Sequence, residues 1–162
     1  MTPKDIADSA KCAQLYADFK KRFSELPDFS SLNNEFEITL IEHEEFFLRA
    51  VIKRMAERLE GFSRMIEDVI QGDSTLSNMV EWKHFDEQSK RKVFETYRQL
   101  MLALRTALER SIDPSEQKEA QTVVDLWSAW QAQKPVLKDF IAELTRAWKD
   151  RVDIAEQVEY LG

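Results

Sequence analysis

Few residues in this chain sit at spacings that chemistry could use, and the sharpest set is glutamate and histidine. Glu81-Trp82-Lys83-His84 puts a carboxylate and an imidazole three positions apart, on one face of a helix. That is part of what a ferritin-like di-iron bundle needs, since such sites take two Glu-x-x-His motifs on separate helices with further glutamates facing them. The second motif is missing. His43, the only other histidine, has Leu40 three positions before it. It lies in Glu42-His43-Glu44-Glu45, an acidic run whose plainer reading is a first helical turn that suits the dipole. The candidate metal ligands are therefore Glu44, Glu45, Glu81 and His84, and the expectation is that no metal is held and no cofactor is needed.

Other chemistries are less complete still. Glu42 with Glu45, and Glu57 with Glu60, match the Glu-x-x-Glu half of a magnesium-binding all-α pyrophosphatase, but no Glu-x-x-Asp follows either pair. Cys12 is the only cysteine, so no intrachain disulfide can form, and its place in an apolar row marks a small core residue rather than a nucleophile. Three isolated glycines cannot build a phosphate-cradling loop, and there is no Gly-x-Ser-x-Gly elbow. No catalytic residue is expected.

Aromatics offer a different kind of site. Trp127 and Trp130 lie three apart just before Pro135, so they share one helix face and form a candidate partner-binding pair. Trp127 and Trp148 also fit the apolar rows of a core.

The elements that would position these residues are helices. The 162 residues suit one domain, 1–162, with 43% hydrophobic and 33% charged residues, and only three glycines and four prolines for turns. A first helix should begin at Thr2-Pro3, carry Cys12, Tyr16, Phe19, Phe23 and Leu26, and end at Pro27. Residues 28–33 read as a connection.

Asn34 and Glu37 read as a cap for a long second helix ending at Gly72. Its seam runs through Ile38, Ile41, Leu48, Ile52, Met55 and Leu59, and on to Phe62, Ile66 and Val69, at spacings of three and four. Glu45 interrupts that seam, as a polar residue that sets register or pairs with a base such as Arg98 or Arg105. Gly61, inside the same helix, suggests a close crossing.

A short helix is expected from Leu76 to His84, and another from an Asp86 cap to Ile112. The latter has a broad apolar face: Val93, Phe94, Tyr97, Leu100, Met101, Leu104, Leu108 and Ile112. Asp113-Pro114 restarts the chain into a last helix. There Pro135 should produce a kink or a break, before a row at Leu137, Ile141, Leu144, Trp148 and Val152.

The reading is an all-α protein: an antiparallel up-down bundle of four long helices with one short extra helix. Unequal helix lengths leave ends that a second copy would cover, hence an expected homodimer. The net charge of −7 disfavours nucleic acid, and the basic clusters Lys20-Lys21-Arg22 and Lys90-Arg91-Lys92 read as solvated charge. The longest apolar run, Leu100 to Leu104, is far short of a membrane span, and no apolar signal segment opens the chain. A cytoplasmic protein that works through protein interaction or oligomerisation is the expectation.

Overall fold

A computed structural model describes residues 3–41, 46–72 and 75–149, which form helices and no strand. Helix α1 spans Pro3–Arg22 and places Lys20, Lys21 and Arg22 in its last turn, where cations complement the dipole. It is followed by α2, Phe29–Phe36, a single turn of 3-10 helix at Ile38–Leu40, and α3, Phe47–Ile70. Then come α4, Leu76–His84; α5, Glu87–Ile112; and α6, Glu116–Lys149.

The chain is all-helical as expected, but the long second helix is not continuous. Residues 29–36, expected as a connection and a cap, are helical because Phe29, Leu32 and Phe36 recur on one face. Asn34 lies inside α2 rather than before a helix. Glu37 ends α2 in a left-handed conformation, φ 53° and ψ 44°, with its N–H donating to the Asn33 carbonyl at 2.8 Å. The Asn33 side chain then accepts from the Thr39 N–H at 2.9 Å. Phe46, also left-handed at φ 59°, sets the entry to α3. The seam resumes at Leu48, and Met55, Leu59, Ile66 and Val69 are buried along it. Val51 is buried in place of Ile52, which is only half-buried, as is Phe62. Glu44 and Glu45 lie outside the described residues.

Helices α3, α5 and α6 pack pairwise on one another, α4 lies against α3 and α6, and α1 meets α2 and the 3-10 turn. Tyr16 and Phe19 of α1 reach inward: Tyr16 donates to the Pro27 carbonyl at 2.8 Å, and Phe19 stacks on Phe47 with ring centres 6.2 Å apart. Cys12 is buried, its thiol 3.5 Å from the Ile41 carbonyl. A link of three residues joins α5 to α6, so the two form a helical hairpin. The Arg110–Asp125 ion pair, 2.6 Å, ties that hairpin near its closed end.

Ser115, not Asp113, caps α6: its hydroxyl lies 3.3 Å from the Lys118 N–H, while Asp113 takes the Lys118 ammonium at 2.7 Å. α6 runs on through Pro135 without a break. Its buried row beyond the proline is Leu137, Phe140 and Ala147, with Leu144 packed beside it, rather than Ile141 and Trp148. Phe140 is drawn in by Phe85, on which it stacks at 5.5 Å. Trp148 is left 53% exposed, its indole donating to Glu81 at 2.6 Å.

Gly61, inside α3, and Gly72, just past its end, have opposite surroundings. A Cβ at Gly61 would meet nothing within 4 Å, so no element crosses there. At Gly72 a Cβ would lie 2.9 Å from the Trp82 ring, itself pinned under the Lys90 ammonium at 5.0 Å. Thermal unfolding should therefore show Gly61→Ala stabilised by about 1 kcal/mol and Gly72→Ala destabilised by about 1–3 kcal/mol. Equal shifts of the same sign would contradict this packing.

Candidate functional site

Of the residues singled out for metal chemistry, the two that are described, Glu81 and His84, are engaged elsewhere. Glu81 and His84 sit on α4 as expected, but each faces a partner on α6: Glu81 accepts from Trp148, and His84 Nε2 lies 3.5 Å from Glu143. Glu143 in turn holds Arg146 at 2.6 Å. These contacts fasten α4 to α6. Among the described residues, no three His, Cys, Asp or Glu side chains are grouped to hold a metal ion.

Trp127 and Trp130 do share a face, and α2 covers it. Trp130 is 3% exposed, with Phe36 and Phe62 ring centres 5.7 and 5.5 Å away, and Trp127 lies 6.2 Å from Phe36. The Trp130 indole is 3.3 Å from Glu35, which also pairs with Lys134, and the Arg58 guanidinium sits 5.5 Å above the ring. Burial works to raise the Glu35 carboxyl. The Lys134 hydrogen bond and charge, the Trp130 N–H and Arg58 outweigh it and hold that carboxyl below its ordinary range.

A concave feature lies instead between α3 and α5, where the start of α6 also lines it, with a volume of about 510 Å³. Its apolar lining is Ile52 and Ala56 of α3, and Met101, Leu104 and Leu108 of α5. These come from i, i+3 and i, i+4 ridges of two neighbouring helices that do not interdigitate at this point. Around them stand five cations, Arg49, Lys53, Arg105, Arg110 and Lys118, against two acids, Glu60 and Glu119. Arg49 pairs with Glu119 at 2.5 Å.

α5 explains why the groove stays open. Its inward row is Val93, Thr96, Leu100 and Ala107, all buried. A second row, Phe94, Tyr97, Met101, Leu104, Leu108 and Ile112, runs alongside at spacings of three and four, and none of the described elements covers it fully. Phe94 is 56% exposed, Leu108 57% and Ile112 82%.

Neither the groove nor this division of α5 emerges from a motif search. The signal that could have found it is breadth: the apolar face of α5 is wider than one packed neighbour needs. Comparison with protein-family models, with curated proteins and with solved structures returns no match.

Proposed function

We propose that this protein works by association: a helical bundle, its four long helices running alternately up and down, that pairs with a second copy in the cytoplasm. The observation that carries this reading is the second apolar row of α5, because exposed apolar side chains at heptad-like spacing want a facing helix. A two-fold pairing would bring the same row from both copies together. No helix among the described residues is long and apolar enough to cross a membrane, so a bilayer-spanning role for this row has no support.

Light scattering on the size-exclusion peak tests it. The wild-type chain should run at twice its 19.0 kDa mass, and Phe94→Asp with Ile112→Asp should run as a monomer with unchanged helix content. Neither substituted residue lines the groove. A wild-type monomer at every concentration would sink the idea.

A further inference from the structure

The groove between α3 and α5 combines features that go beyond self-association. It has the size of a small-ligand site, about 510 Å³, and an apolar lining from two helices. Its rim inverts the charge of the whole chain: five cations against two acids, in a protein of net charge −7.

Most of these cations are already satisfied. Arg49 holds Glu119, Arg110 holds Asp125 at 2.6 Å, and Lys118 holds Asp113 at 2.7 Å. Lys53 reaches Glu57 only at 3.9 Å. Arg105 has no carboxylate partner among the described residues, although it stands on the groove wall one position from Leu104. An open guanidinium fork beside a trough of Ile52, Met101 and Leu108 matches one planar anionic head followed by an apolar chain.

We propose that this groove binds a free aliphatic carboxylic acid, with the carboxylate on Arg105, assisted by Lys53, and the hydrocarbon chain along Ile52, Met101, Leu104 and Leu108. The acid is taken as a monomer from solution, not from a bilayer. The trough supplies affinity by removing chain and wall from water, and Arg105 fixes which end of the ligand enters.

Dodecanoate titrated below its micelle threshold into the full chain, followed by calorimetry, tests the assignment. One saturable site per chain is expected. Arg105→Ala should weaken it about tenfold, and dodecanol should bind wild type more weakly by a similar factor. Leu108→Asp should remove binding. Leu102→Ala, an exposed leucine outside the groove, should leave it unchanged. Because Arg105 is exposed, its variant should melt like wild type.

Three results would overturn the proposal: equal affinity in wild type and Arg105→Ala, equal weakening by Leu102→Ala and Leu108→Asp, or binding to dodecanoate-containing vesicles without binding to the free acid.

Discussion

Trp130→Ala should cost about 3–5 kcal/mol of unfolding free energy in urea titration, a large share of the 5–15 kcal/mol, roughly, that holds a domain of this size together. The size of the effect follows from what the ring joins. It lies in α6, yet it packs on Phe36 of α2 and Phe62 of α3, so three segments lose their common contact when it goes. Each aromatic pair adds about 0.5–1.5 kcal/mol beyond the area it buries.

The loss should also be local. Without the indole, the Glu35–Lys134 ion pair and the Phe36–Trp127 ring contact remain to hold α2 against α6. Amide hydrogen exchange across Leu32 to Phe36 should then accelerate more than exchange in the α5–α6 hairpin. Trp130→Phe retains most of the ring and should cost less than half as much. A loss below about 1 kcal/mol in Trp130→Ala, outside the range for a large aromatic, would mean that α2 docks by other contacts.

That site shows where sequence reading succeeds and where it stops. The shared face of Trp127 and Trp130 follows from helical spacing alone. That the face turns towards α2 does not, because residues 28–33 read as a connection and Asn34 with Glu37 as the cap of the next helix. The break falls at Glu37, a residue type with no preference for left-handed backbone, and no glycine or proline announces it.

Where side chains make the cap, boundaries were legible. Thr75 accepts from the Asn78 N–H at 3.1 Å and starts α4 at the expected residue, and Asp86 accepts from the Ser89 N–H at 2.6 Å and starts α5. In α6 the neighbours Phe140 and Ile141 are both apolar, so the pattern cannot choose between two rows one position apart. The position of Phe85 on another element makes that choice. The groove had no chemical motif to read, only an apolar face on α5 wider than its partners could cover.

A second large effect is expected at high pH, and it comes from Tyr16. This side chain is fully buried, and its hydroxyl donates to the Pro27 carbonyl at 2.8 Å, closing the turn between α1 and α2. Burial first, and then the nearby Asp28 charge, push the phenol well above its ordinary value, because an anion here would lose water and face a carboxylate. The folded chain therefore holds this proton more tightly than the unfolded chain does. The stabilisation is complete below the unfolded tyrosine pKa, about 10, and is lost as pH rises beyond it, since the unfolded state gains free energy by releasing the proton.

Stability measured from neutral pH upward should thus stay level as far as this group is concerned, and then fall steeply above about pH 10. In an absorbance titration Tyr16 should ionise only together with loss of helix signal. Tyr16→Phe separates the two contributions. It removes the ionisable group, so the alkaline fall should flatten. It also leaves the Pro27 carbonyl without its donor, so stability at neutral pH should drop by about 1–3 kcal/mol. A variant as stable as wild type at neutral pH would remove the Tyr16–Pro27 bond from the account of how α1 is held, and an unchanged alkaline slope would place the titrating group elsewhere.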